Sequence, residues 1–215
     1  MSICWAISDV DWGITKDVFA VAGTIVTALG VAVAAYVGLR GLSTWRRQFK
    51  VTADHELARR LLIETYKFRD GFSVVRNPMV MAYEMHVPDE GLTGDQRIDN
   101  HQGNVRAYSA RFEKLGEAKA PLRASLVEAE AVWGKEAVDK FSIIFKLERE
   151  LFVAIKLYLD VTNPKNDEDE RRSYRNVIKK RRDIMYEVLD ESDVFSADVQ
   201  REISSIEAWL RPKMV

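Results

Sequence analysis

Cysteine occurs once in 215 residues, as Cys4. A lone thiol excludes internal disulfides and cysteine-only metal sites. It fits a reducing compartment without requiring one, since many exported proteins also lack cysteine. Histidine is almost as scarce, with His55, His86 and His101 only. There is no G-x-x-x-x-G-K-[ST] loop, no G-x-G-x-x-G after a strand, no H-E-x-x-H and no G-x-S-x-G, so the usual signatures of phosphate, dinucleotide, zinc and serine chemistry are missing. The sequence therefore assigns no catalytic residue and no cofactor. With a net charge of −1, it also lacks the global field that would favour nucleic acid or another anionic partner.

A further absence is local. From Val18 to Leu39 the sequence VFAVAGTIVTALGVAVAAYVGL carries no charged residue. At about 1.5 Å per residue such a helix matches a hydrocarbon core of about 30 Å. A buried core helix of this length, interrupted only by Thr24, Thr27 and Tyr36, would be unusual. Ala32-Val33-Ala34 resembles the small-residue cleavage site of an export signal, but alanine is abundant throughout the run. An export signal also wants positive charge before its apolar segment. Here Lys16 stands against Asp9, Asp11 and Asp17, and the cations come afterwards: Arg40, Arg46, Arg47 and Lys50, then Arg59 and Arg60. Lysine and arginine near a span stay on the cytoplasmic side. The expectation is an uncut anchor over 18–39, with a short extracytoplasmic tail at 1–17 and residues 40–215 in the cytoplasm. Trp5 and Trp12 on one side and Trp45 on the other suit the two membrane interfaces, with Arg40, Arg46, Arg47 and Lys50 beside the inner one.

Small residues recur along this run at Gly23, Thr27, Gly30, Ala34, Gly38 and Gly41. Steps of three and four keep them on one face, and such faces let helices approach closely in lipid. The stripe is a candidate self-association surface, hence a homo-oligomer, although no strict G-x-x-x-G is present.

Past the span, helical periodicity dominates and strand alternation is scarce. No proline lies between Arg40 and Asn77, so the anchor helix can run on. Leu57, Leu61, Thr65, Phe68, Phe72 and Val75 make one apolar face, and Asn77-Pro78 predicts its end. Residues 78–103, rich in Gly, Asp and Asn, read as a loop. Periodicity returns with Val105, Tyr108, Phe112 and Leu115; Pro121 predicts the opening of a second segment, and Gly134 a bend. Glu136 to Val161 is the most apolar later helix, with Phe141, Ile144, Phe145, Leu151, Phe152, Ile155 and Leu159 on a broad face expected at the centre of a bundle. Asn163-Pro164 ends it. The acids Asp167 to Glu170 suit the start of the next helix, predicted to reach Leu189. Ser196 predicts the cap of a last helix through Leu210, ended by Pro212. The fold class is all-α: one membrane helix followed by a helical, coiled-coil-like bundle.

Four short stretches, GLSTWRRQF after the span, ELARRLL, EAEAVWG and the C-terminal IEAWLRP, resemble a group of uncharacterised bacterial single-span proteins with helical cytoplasmic regions. That resemblance implies a bacterial inner-membrane setting. It implies no activity.

Two charged regions remain. His86 and His101 share the region 84–101 with Glu84, Asp89, Glu90, Asp95 and Asp99, a donor set that a divalent metal could use but that is more often solvated. No spacing among these carboxylates selects an acid–base pair. RRSYRNVIKKRR supplies Arg171, Arg172, Arg175, Lys179, Lys180, Arg181 and Arg182 without an acid, while Tyr174, Val177, Ile178 and Met185 form an apolar face of the same predicted helix. It reads first as a solvated face, second as a contact for anionic lipid headgroups, and third as a nucleic-acid patch, which no accompanying fold signature supports. The expected function is non-catalytic: an anchored bundle that presents itself to an unknown protein partner or relays a signal. The alternative is a membrane-perturbing effector whose span oligomerises on a trigger.

Overall fold

The computed structural model describes residues 9–88, 91–188 and 192–214, and it omits the side chains of residues 9–12, 43, 44 and 46. Trp5 and the tail before residue 9 lie outside the described residues. The described residues form helices and connections, with no strand among them. The elements are α1 (Asp9–Arg76), α2 (Gln96–Trp133), α3 (Lys135–Thr162), α4 (Glu168–Ile178), α5 (Val194–Leu210) and a 3-10 turn over Arg211–Met214. Two compact units divide the chain, Met1–Thr52 and Ala53–Val215.

The first unit is the N-terminal part of α1. Between Val18 and Leu39 its large apolar side chains are between 55% and 73% exposed. Among the described residues this is the one helix long and apolar enough to cross a membrane.

The second unit is a four-helix bundle of the α1 segment from Ala53, α2, α3 and α5. Side-chain partners fix the directions. Asp54 meets Trp133 and Arg60 meets Glu128, so α1 and α2 run antiparallel. Phe112 meets Phe152 while Lys119 meets Glu148, so α3 runs back along α2. Phe195 meets Phe72 edge to face and Trp209 donates to Glu136, so α5 is antiparallel to both α1 and α3. The expected α1 face is the one covered: Leu57, Leu61, Thr65, Phe68, Phe72 and Val75 are all buried. Leu115 and Leu122 from α2, Phe141, Ile144 and Leu151 from α3, and Ile203 and Ile206 from α5 complete the core.

Local chemistry sets the boundaries. Pro78 disfavours helical backbone at Asn77, so α1 stops at Arg76, and the Asn77 side chain accepts from the Met79 N–H at 2.9 Å. Gly134 stands at φ +80°, a region costly for any residue with a Cβ; it closes α2 and opens α3 without an intervening loop. Asp167 and Glu170 form a reciprocal capping box on α4, each satisfying an N–H that the helix cannot.

Several boundaries and one core assignment differ from expectation. The loop ends at Asp95, not near 103, because the Asp95 carboxylate accepts from the Arg97 N–H at 2.9 Å and starts α2 there. Pro121 opens no new segment but sits inside α2. It and Glu117, whose carbonyl it leaves without an intrahelical donor, are both exposed, so water can satisfy that oxygen. α4 ends at Ile178 rather than near Leu189, because Arg182 is drawn to Glu150 of α3 and Asp198 of α5; the chain leaves the helix there and buries Ile184 and Met185. Met185 thus lies beyond the helix whose face it was expected to share. The cap of α5 is Asp193, whose side chain accepts from the Ser196 N–H at 2.9 Å. Phe152 is half exposed where Phe145 is 8% exposed; its ring meets that of partly buried Phe112 edge to face.

Two buried arginines secure the long connections. Arg76, at the end of α1, donates to the carbonyls of Ile184 and Tyr186 and to the Ser196 hydroxyl, and pairs with Asp193 at 3.0 Å. Arg111 of α2 donates to the carbonyls of Asn77 and Met79 and to both Glu84 oxygens at 2.8 Å. Each guanidinium satisfies backbone that has no helix to bond with. At Gly103 the loop lies so close that an added Cβ would sit 2.8 Å from the Met85 carbonyl oxygen.

Two outcomes are expected from thermal melting of the full chain in detergent micelles. Phe145→Ala should cost about 3–5 kcal/mol as a buried truncation, whereas Phe152→Ala should cost under about 1 kcal/mol; similar losses would contradict the packing. The second concerns acid. Burial works to raise the Asp193 pKa, but bonds from Arg76, Ser196 and Val188 bring it down from 3.8 to about 2. The Arg111 hydrogen bonds bring Glu84 from 4.5 to about 2 against the effect of burial. Folded values below unfolded ones stabilise the protein above the ordinary carboxylate range and lose that contribution as pH falls toward 2. The melting temperature should fall between pH 4.5 and 2, and less steeply in Arg76→Met/Asp193→Leu; parallel slopes would refute the clamp.

Candidate functional site

In the first unit, Trp45 is exposed and meets Phe49 edge-on at 5.6 Å between ring centroids. The Arg40 guanidinium lies 5.1 Å from the Tyr36 ring centroid, a cation–π geometry. Arg47 and Lys50 are exposed; the Arg46 side chain lies outside those described.

The small-residue stripe is open. A Cβ at Gly23, Gly30, Gly38 or Gly41 would meet nothing within 4 Å, and Ala34 is exposed beside them. Thr27, however, donates its hydroxyl to the Gly23 carbonyl at 2.8 Å, and Thr24 does likewise to Ala20 at 2.9 Å. Both hydroxyl protons are satisfied within their own helix, so Thr27 presents a small surface and an acceptor rather than a free donor.

In the second unit the basic run is not one patch. Arg171 and Arg175 pair with Glu168 on their own helix. Arg182 lies between Glu150, at 2.7 Å, and Asp198, at 2.5 Å. Those hydrogen bonds push the Arg182 pKa up and hold the Glu150 and Asp198 carboxyls below their usual range. Arg182 is thus a brace joining α3, the segment after α4 and α5. Arg172, Lys179, Lys180 and Arg181 make no ion pair among the described residues and remain exposed.

Lys179 and Arg181, both exposed, line a cleft of about 420 Å³ between α3 and the segment that follows α4. Ala154, Leu157, Tyr158, Ile178, Ile184 and Met185 supply the apolar part of its lining, and Arg182, Asp183 and Tyr186 also border it. Burial raises the Tyr158 phenol pKa, and the neighbouring Tyr186 adds to the rise; burial also raises that of Tyr186. The phenols therefore stay neutral at pH 7, and the charges that line the cleft are those of Lys179, Arg181, Arg182 and Asp183, cations in excess. Sequence reasoning found the cations but missed Leu157, Tyr158, Ile184 and Tyr186, because the helix predicted through Leu189 would have carried Ile184 away from α3. It also missed Arg76 and Arg111. Among 32 basic residues, no local pattern marks which will be buried.

In the region 84–101 the described carboxylates take structural partners. Glu84 binds Arg111, Asp95 caps α2, and Asp99 accepts from the Thr93 N–H and hydroxyl at 2.8 and 2.7 Å. Asp89 and Glu90 lie outside the described residues, and among those described no three His, Cys, Asp or Glu converge. His101 borders a separate cleft of about 410 Å³ with Arg106 and Lys165; burial lowers its pKa.

No protein-family model, curated protein or solved structure matches the chain.

The brace yields a prediction. Arg182→Ala should lower stability by about 1–2 kcal/mol, more than an isolated exposed pair contributes, because two carboxylates lose one shared partner. Arg172→Ala should stay within about 0.5 kcal/mol of wild type. Equal melting temperatures for the two variants would contradict the bracing role.

Proposed function

We propose that this chain is a single-span membrane protein that holds a non-catalytic helical bundle at the cytoplasmic face of a bacterial inner membrane, where the bundle binds a partner or relays a signal. One observation carries the reading. Ten large aliphatic or phenyl side chains between Val18 and Leu39 have no protein cover, while α1 beyond Leu57 has its apolar face packed. At about 1.5–3 kcal/mol for each buried side chain, leaving ten in water forgoes roughly 15–30 kcal/mol. That exceeds the whole stability of a typical domain, about 5–15 kcal/mol. Lipid supplies the missing surroundings. The cations after Leu39 and the acidic residues before Val18 support an N-terminus outside. The second unit supports a binding module: it carries a cleft of about 420 Å³ in which apolar side chains stand beside a few charged ones, the usual make-up of a small-molecule site.

The test is topological. A reporter active only in the cytoplasm, fused after Val215, should function, and one active only outside should fail. The full chain should stay with membranes after alkaline extraction, and deletion of residues 18–39 should release it. Reversed reporter activity, or a mature chain beginning at Ala35, would overturn the reading.

A further inference from the structure

We infer that the cleft between α3 and the segment after α4 binds an anionic amphiphile, an apolar chain or ring carrying a phosphate, sulfate or carboxylate head. The inference deepens the proposed reading by naming a ligand class for the bundle, and it rests on that reading only for the bundle being a binding module.

Shape and chemistry agree on this occupant. The cleft measures about 420 Å³, at the lower end of volumes typical of small-molecule sites. Its wall is built by Leu157 and Tyr158 on one side and Ile178 and Met185 on the other. Ile178 is exposed although Ile184 and Met185, a few residues on, are buried, so an apolar surface is left open beside a packed one. Two cations of the lining are available, against one acid, Asp183. Arg182 is committed to Glu150 and Asp198, whereas Lys179 and Arg181 make no ion pair among the described residues. A head group between them would gain charge-assisted hydrogen bonds, while the tail would gain apolar contact along the wall. The brace at Arg182 keeps the two sides of the cleft together without using the two cations that face the ligand.

The experiment uses the full chain in phosphatidylcholine nanodiscs, with octyl phosphate as probe and empty nanodiscs as the partition blank. Calorimetry should show saturable binding at one site per chain. Octanol at the same concentration should give only the blank signal. Lys179→Glu/Arg181→Glu should bind about tenfold more weakly or worse, the loss expected from charged hydrogen bonds. Both residues are exposed and make no ion pair among the described residues, although Arg181 lies near enough to Glu150 to add to the lowering of its pKa by Arg182. The melting temperature of Lys179→Gln/Arg181→Gln, which adds no negative charge, should therefore stay close to wild type while binding weakens, and a folding defect is thereby separated from a binding defect. Ala154→Trp, which fills the wall, should abolish binding while leaving Lys179 and Arg181 in place. A second arm repeats the titration in phosphatidylglycerol nanodiscs. Loss of apparent affinity there identifies the bilayer as the source of the ligand, and unchanged affinity identifies a soluble source; both uphold the chemistry. Octyl phosphate binding unchanged by the charge reversal, binding no stronger than that of octanol, or tighter binding of adenosine monophosphate would each overturn the inference. Because the reporters read topology and the titration reads the cleft, either can fail while the other stands.

Discussion

One helix must satisfy two environments. α1 carries both a charge-free run whose side chains no part of the protein covers and, nearer its C-terminus, a face sealed by three other helices. Helix geometry alone cannot reconcile these, because backbone hydrogen bonding is equally content in lipid and in a protein core. The side chains decide. A stripe one face wide, from Leu57 to Val75, suits a bundle, where the opposite face meets water. A run apolar all round suits hydrocarbon. The change of pattern falls near the division between the two compact units at residues 52 and 53, and this coincidence organises everything after it.

The bundle's integrity then depends on how α1 ends. Arg76 gives the last turn a charged side chain in a buried position, which would be costly without compensation. The compensation is complete: two carbonyls, a hydroxyl and the Asp193 carboxylate surround it, and the ring of Phe195 lies 4.8 Å from its guanidinium carbon. Asp193 is at the same time the cap of α5. One ion pair thus joins the end of the first helix to the start of the last. Arg111 and Glu84 do the same for the connection between α1 and α2. The irregular segments are held by point chelation, and the helices by apolar contact.

How much of this was legible can be judged residue by residue. Asn77-Pro78, Gly134 and Asn163-Pro164 announced their boundaries because each acts on its own backbone. The α1 face was legible because its period is unambiguous over several turns. Phe152 was not. On a helical wheel it lies within about 20° of Phe141, yet it is half exposed, because burial depends on the facing helix, and α2 brings Phe112 together with the polar Lys119 and Arg123 to that side. The end of α4 was illegible for the same reason. Arg182 leaves the helix for acids on α3 and α5, and Met185, eleven residues after Tyr174, mimics helical spacing without helical backbone. The cleft exists only because of that departure, so a reading that kept the helix intact could see the cations but not the wall beside them. The span and its flanks are the clearest part of the sequence, being a property of composition along one helix rather than of packing between several.

The account stands or falls on the medium that surrounds the apolar part of α1. A nitroxide placed at Val26, with another at His55 for comparison, measures it directly through collisions with oxygen, which concentrates in hydrocarbon, and with a water-soluble nickel chelate. In liposomes the label at Val26 should be accessible to oxygen and shielded from nickel, and the label at His55 should show the reverse. Free access of nickel at Val26, or shielding from both reagents, would place that helix in water or in a protein core and contradict the account.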